Sequence, residues 1–295
     1  MDSVIIQHRK DLIFGIFGFF CLVICFLTLG GLITNMIVEG FPRITTDFFT
    51  NFPSRRANQA GILSAWVGSF LIMLTTAFFA VPLGIASALY LEEYARKNIL
   101  TDIIEINVNN LAGVPSIIYG LLALGLFVYT FGLGQSILTA GLTLALLILP
   151  IVIVATRESL RSIPLHIREG AYACGASRWQ VCKDHLLPYS TPGILTGVII
   201  GLSRAIGETA PLITIGALTF IAFLPPVPFF EGGPFDWLSS AFTVMPIQIF
   251  NWTSRPDPAF QTNAAAASLV LVLLTLSMNA LAIWIRYRMR KNIKW

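Results

Sequence analysis

The sequence predicts an all-α integral membrane protein with six transmembrane helices and both termini in the cytoplasm. Three observations carry this. Apolar residues make up 56% of the 295-residue chain and charged residues only 12%, against about a quarter charged in a soluble domain. The apolar residues gather in uncharged runs, and a helix of about 20 such residues crosses the hydrocarbon. Lys and Arg collect on one side of those runs. Sixteen Pro and 23 Gly lie among the apolar stretches rather than in a polar tract, which excludes a disordered or collagen-like chain.

The first run, 12–38, follows Arg9 and Lys10 as a signal peptide would. Its core exceeds an h-region of about 7–15 residues and no A-x-A cleavage site follows, so it is expected to remain as a span. The second, about 60–91, contains Pro82 and Gly84, which a span tolerates when neighbouring helices or water re-satisfy the backbone. No charge falls in 106–156. That length holds two spans, about 111–131 and 136–156, divided at Phe131-Gly132-Leu133-Gly134-Gln135. The fifth is expected over 193–223 and the sixth over 263–285.

With the N-terminus inside, the cytoplasmic segments hold fourteen Lys and Arg and the outer segments four, Arg43, Arg55, Arg56 and Arg255. Short cytoplasmic loops accumulate positive charge, so this asymmetry sets the orientation. The C-terminal cluster from Arg286 to Lys294 reads as a topology anchor before it reads as a lipid patch. A 38-residue outer loop, Pro225–Thr262, carries Trp237, Trp252 and an apolar run from Phe242 to Phe250, which predicts a short interfacial helix. Cys21, Cys25, Cys174 and Cys182 show no C-x-x-C or zinc spacing and are read as small apolar fillers. The three His are scattered, so no metal site is expected, and no cofactor.

The cytoplasmic loop, 157–192, reads Glu169-Gly170-Ala171-Tyr172-Ala173-Cys174-Gly175, nine residues, then His185-Leu186-Leu187-Pro188. A short helix ending at a Gly able to take positive φ, followed by a turn and a second amphipathic stretch, makes a knob projecting from the membrane. The bland alternative is an ordinary amphipathic loop helix. The run resembles the E-A-A-x-x-x-G-x9-I-x-L-P loop of ABC importer permeases, with Gly170 in place of the first Ala and His185 in place of the Ile. The resemblance implies that Glu169, Gly170, Ala171, Gly175, Leu187 and Pro188 dock on a cytoplasmic ATPase. The chain itself has no G-x-x-x-x-G-K-[ST] loop, and none of its five lysines follows a glycine, so it carries no catalytic residues for ATP hydrolysis.

Arg204 and Glu208 interrupt the fifth run. Each charge at the bilayer centre costs about 2.5–3.5 kcal/mol, so both should avoid lipid. Gly193, Gly197 and Gly201 repeat at intervals of four, a small-residue face for helix packing. On one continuous helix, Arg204 and Glu208 extend that stripe, with Arg204 about 17 Å from Gly193 and near the midplane. Two readings stand: a structural ion pair, or a transport-path site in which the guanidinium holds a tetrahedral oxyanion through paired hydrogen bonds.

The run Arg204-Ala205-Ile206-Gly207-Glu208-Thr209-Ala210-Pro211 is similar to the R-x-x-G-E-T-A-P segment of the PstA family, permeases of the bacterial phosphate-specific ABC importer. Pro82-Leu83-Gly84, Tyr90-Leu91-Glu92-Glu93-Tyr94, Gly113-Val114-Pro115-Ser116 and Met245-Pro246-Ile247-Gln248-Ile249-Phe250 agree with it. The resemblance covers about 60–285. It implies the type I ABC importer (MetI-like) permease fold in a bacterial plasma membrane. It also implies a complex with a PstC-like sister permease, two PstB-like ATPase copies and a PstS-like extracytoplasmic phosphate-binding protein, with no role for nucleic acid. Ser116 and Tyr119 become further candidates for the path, although such hydroxyls more often bond to backbone. The rivals are a permease for sulfate or molybdate, then an ion-coupled secondary transporter. A membrane enzyme lacks any Ser-His-Asp set, paired carboxylates or HExxH at membrane depth.

Overall fold

A computed structural model describes residues 2–96, 98–227 and 233–290, which are helical or irregular throughout. Helix α1 (Asp2–Gly40) leads through a 3-10 turn to the short α2 (Thr46–Thr50). Helix α3 (Leu63–Leu89) continues as a π-helical turn over Tyr90–Tyr94. Next come α4 (Ile99–Leu111) and α5 (Ser116–Ala123), which runs on as π-helix to Thr130. Helix α6 (Ile137–Arg161) precedes α7 (Leu165–Ala173) and α8 (Arg178–Gln180), and the π-helical Val181–Leu186 joins α8 to α9 (Leu187–Gly207). The chain closes with α10 (Ala210–Thr214), α11 (Met245–Thr253) and α12 (Ala259–Arg290).

Among the described residues five helices are long and apolar enough to cross a membrane, and a sixth span exists if α4 and α5 count as one broken unit. The interior is built from α3, α6 and α9, and residues are small where these helices touch. A Cβ on Gly197 would collide with the Ala155 methyl, one on Gly193 with the Ser159 side chain, and one on Gly201 would lie 3.4 Å from Ile148 Cβ. Glycine lets the backbones approach, and in lipid that contact replaces the hydrophobic drive available in water. On the other face of α6, Gly141 receives Thr75, and Thr76 Oγ1 donates to Gly141 O at 3.3 Å.

Helix α1 is different. Leu12, Phe14, Phe17 and Phe20 are all exposed on it, while Gly40 lies against the backbone of Ala265 and Ala266. Just beyond, Arg43 donates to Asn263 Oδ1 at 2.9 Å and to the carbonyls of Asn58 and Ala60 at 2.8 and 3.0 Å. One guanidinium thereby ties the end of α1 to α12 and to the loop before α3.

Two expected spans are corrected. The third is not one helix over 111–131: α4 and α5 meet at 108°, because Pro115 offers no amide and drives Val114 out of helical geometry. The fifth does not run from 193 to 223. Its helix is already continuous from α8 and ends at Gly207, with Glu208 extended at φ −76°, ψ 125°. Pro211 would clash with the Gly207 carbonyl in a continuing helix, so the chain restarts as the five-residue α10. The divider between spans three and four has Gly132 and Gly134 both at φ +67°, and Ser136 caps α6 by accepting from Thr139 N at 3.3 Å. The outer loop does form a short helix, α11, set by Pro246 in its first turn.

Gly197→Leu should force α6 and α9 apart, an overpacking of about 1–3 kcal/mol. Thermal unfolding of the detergent-solubilised protein should start several degrees lower, whereas Gly15→Leu, a position with nothing within 4 Å of its Cβ, should leave it unchanged.

Candidate functional site

Helix α7 is flanked by Pro164 at its N-cap and Cys174 at its C-cap, and its termination is chemically specified. Gly175 sits at φ +84°, its amide donates to Tyr172 O at 2.9 Å, and the amide of Ala176 reaches Ala171 O at 3.1 Å. These are the paired closing bonds of a Schellman motif, which needs a left-handed residue that glycine supplies without steric cost. The two residues joined by the longer loop, Ala171 and Ala176, pack together onto Leu160, Ile163, Val181, Cys182 and Leu186. The return helix then begins with a capping box: Ser177 N donates to Gln180 Oε1 at 2.8 Å and Gln180 N to Ser177 Oγ at 3.3 Å. Glu169, Gly170 and Tyr172 stand exposed on the knob. A Cβ on Gly170 would meet nothing within 4 Å, so the Ala that usually occupies this place would fit. Leu187 is half-buried and Pro188 exposed at the start of α9.

Behind the knob lies a charge network that local sequence reading does not find. Arg157, with only 6% of its side chain exposed, reaches Glu105 Oε2 at 2.7 Å and Glu92 Oε2 at 3.5 Å. Arg161 approaches the same two carboxylates at 3.2 and 3.0 Å. Two carboxylates, one from the turn after α3 and one from α4, are thus shared by two guanidiniums on the last turns of α6. Because each of these four charges has two partners within the set, loss of one carboxylate still leaves the buried Arg157 paired with the other. A third guanidinium, Arg168 on α7, stands 3.0 Å from Glu93 Oε1 and donates to Leu160 O at 2.9 Å. The available signal was the acidic pair Glu92-Glu93 at a helix end facing a loop otherwise rich in Arg. Counted only for topology, Arg157, Arg161 and Arg168 hid their partners.

The second candidate lies where α9 breaks. Arg204 Nε donates to Glu208 Oε1 at 3.3 Å, with 38% and 18% of the two side chains exposed. The pair survives the correction above, but its geometry is not that of two residues on one helix face. Glu208 folds back from an extended cap, and Arg204 in the last turn of α9 sits at the negative end of the helix dipole. The segment after the break packs on α5: a Cβ on Gly120 would strike Thr214 Oγ1 and come within 2.6 Å of Pro211 Cα. Tyr119, one residue earlier, is 7% exposed and within electrostatic range of Arg204. Its hydroxyl donates to Leu111 O at 2.8 Å, closing the bend between α4 and α5. Ser116 opens α5 and is half-buried. The structure therefore brings Arg204, Glu208 and Tyr119 to one region and places the knob residues in another.

A bundle of spans with a Gly-terminated knob between the fourth and fifth defines a helical membrane permease. Residues 80–294 match the family described as binding-protein-dependent transport system inner membrane component, and the chain belongs to it: it is a permease subunit of an ABC importer. The probable ABC transporter permease YqgI of Bacillus subtilis (strain 168) is 32% identical over 95% of both chains. The phosphate transport system permease PstA of Mycobacterium leprae (strain TN) is 31% identical over 92% of this chain and 87% of its own. In fold, the chain is similar to a bacterial alginate ABC transporter (TM-score 0.67, 14% identity, 95% of this chain and 96% of that one). It is also similar to the MetNI methionine ABC transporter in an inward-facing conformation (TM-score 0.57, 17% identity, 75% and 94%).

Gly175→Val places a β-branched residue at φ +84°, a conformation such residues essentially never adopt. The closing bonds of α7 should be lost, and the importer's ATPase subunit should no longer co-purify with a permease that still inserts normally.

Proposed function

We propose that this chain is one half of the translocator of an ATP-driven importer that carries inorganic phosphate into the cytoplasm. The observation that carries the reading is Arg204, a half-exposed guanidinium at the end of a broken span, held by one carboxylate at 3.3 Å. A guanidinium offers two parallel N–H donors to a tetrahedral oxyanion. Glu208, held within reach, competes for the same donors, so the anion is bound transiently and released. Ser116 and Tyr119 flank the path as lesser contributors. Relatives named as phosphate transport permeases, about 30% identical over most of the chain, favour phosphate over sulfate or molybdate.

In this reading α7 and both termini face the cytoplasm, following the fourteen-to-four division of basic charge. Glu169, Gly170, Ala171, Gly175, Leu187 and Pro188 form the surface that an ATPase subunit grips. A PstC-like permease supplies the other half of the path, two PstB-like subunits hydrolyse ATP, and a PstS-like protein delivers the anion from outside. Closure of the ATPase pair moves the two knobs, and the spans alternate between outward and inward access. Glu169→Lys should reduce retention of the ATPase subunit on purification and lower uptake in proportion.

The competing reading of Arg204 and Glu208 as a structural pair makes different demands. The test is uptake of labelled phosphate, sulfate and molybdate by the reconstituted complex carrying Arg204→Ala, Glu208→Ala or both. Phosphate uptake should be lost in Arg204→Ala and in the double variant while assembled yield is kept. Arg204→Lys should recover only part of it, because an ammonium cannot make the paired planar contact. Recovery of uptake in the double variant would return the pair to a structural role.

A further inference from the structure

The knob meets the membrane bundle at few points, and its polar attachment has an unusual property. Helix α7 buries none of its own residues, and apart from Ile167, Ala171 and Ala176 on the small cluster beneath it is held by Arg168. Glu93 is 8% exposed at its side chain and Arg168 18%. Their closest atoms are 3.0 Å apart, yet Glu93 Oε1 accepts no hydrogen bond there, and Arg168 Nε is buried with no acceptor. The Arg168 fork instead directs one N–H to Leu160 O, at the end of α6. A carboxylate and a guanidinium largely withdrawn from solvent and in contact, with one acceptor unused on Glu93 and one donor unused on Arg168, stand one small displacement short of the bidentate geometry such pairs prefer. Arg178, on the other arm of the knob, adds positive charge at Glu93.

We propose that Arg168 is the positioning residue that passes the movement of α7 to α3. When α7 is displaced by the ATPase, the Arg168 fork closes on Glu93 and draws the π-helical turn Tyr90–Tyr94 with it, and on return it reverts to the contact seen here. The carbonyl of Leu160 keeps α6 as the fixed side of the joint. Glu92, the neighbour of Glu93, is held by Arg157 and Arg161, so a pull on the turn also reaches the four-charge network and through Glu105 the start of the third span. The inference rests on α7 being the ATPase-docking element.

The test uses the assembled importer in proteoliposomes with its binding protein. It measures ATP hydrolysed and anion taken up, with whichever of phosphate, sulfate or molybdate the unmodified complex transports. Glu93→Gln, which keeps shape and removes charge, should retain the ATPase subunit at full yield and lower uptake per ATP about five- to tenfold. Glu93→Asp and Arg168→Lys, which keep the charges but shorten or simplify the contact, should recover part of that ratio. An unchanged ratio in Glu93→Gln overturns the proposal. So does a fall in assembled yield that reduces hydrolysis and uptake equally, since the pair then only anchors α7. Failure of the docking premise is read separately: Gly175→Val would then keep both the ATPase subunit and normal uptake.

Discussion

Hydrocarbon offers no hydrogen bonds, so each backbone polar group in a span must find its partner within the protein. Three departures from straight helix among the described residues answer to that constraint. At the bend between α4 and α5, the Leu111 carbonyl receives the Tyr119 hydroxyl. In the glycine turn before α6, Gly134 O receives Thr139 Oγ1 at 2.8 Å and Leu133 N donates to Phe127 O at 3.0 Å. Beyond α10, where the chain loses helical form, Leu218 N bonds to Phe242 O at 3.0 Å and Ile221 O accepts from Ser64 Oγ at 3.0 Å. The hydroxyls of Tyr119, Thr139 and Ser64 are thus repair groups for broken backbone, whereas others, such as Thr34 and Thr143, bond to the preceding turn of an intact helix.

The same bonding explains which parts of the fold were legible in the sequence. Helices α1, α3, α6 and α12 were found because uninterrupted apolar runs and their flanking charges are local signals. The break at Pro211 was present as a letter but was absorbed into an apolar window, since hydropathy averages over backbone geometry, and Pro115 was legible as a break but not as a bend of 108°. Conversely, Pro188 and Pro192 lie in a helical path continuous from α8 to Gly207, because the first turns of α9 follow a π-helical stretch that already relaxes the bonding ladder. The Gly175 turn was legible for the opposite reason: its chemistry depends on six consecutive residues.

The charged groups divide along the same line. Arg204 and Glu208 are four residues apart and were paired from sequence, although the helix assumed to pair them ends between the two. Glu92 and Arg157 are 65 positions apart, and nothing local announces their contact. Arg157, Arg161 and Arg168, which the sequence reading counted only for their number, are here matched to the carboxylates of Glu92, Glu93 and Glu105, so the knob rests on a nearly neutralised platform. That arrangement lets a loop dense in Arg lie against helix ends without repelling itself.

Helix α1 packs along α12 and approaches it most closely at Gly40, while its side chains from Lys10 to Leu22 are all exposed. Over Leu12 to Leu22 its residues are held to a composition and a length but to no partner surface among the described residues. Substitutions among Leu, Ile, Phe and Val over that stretch cost the fold little contact, whereas the glycine contacts of α6 and α9 at Gly141, Gly193 and Gly197 leave no room for a side chain. The family match begins at residue 80, beyond this helix. The exposed part of α1 thus answers to the apolar medium around it, and only its C-terminal part to the core.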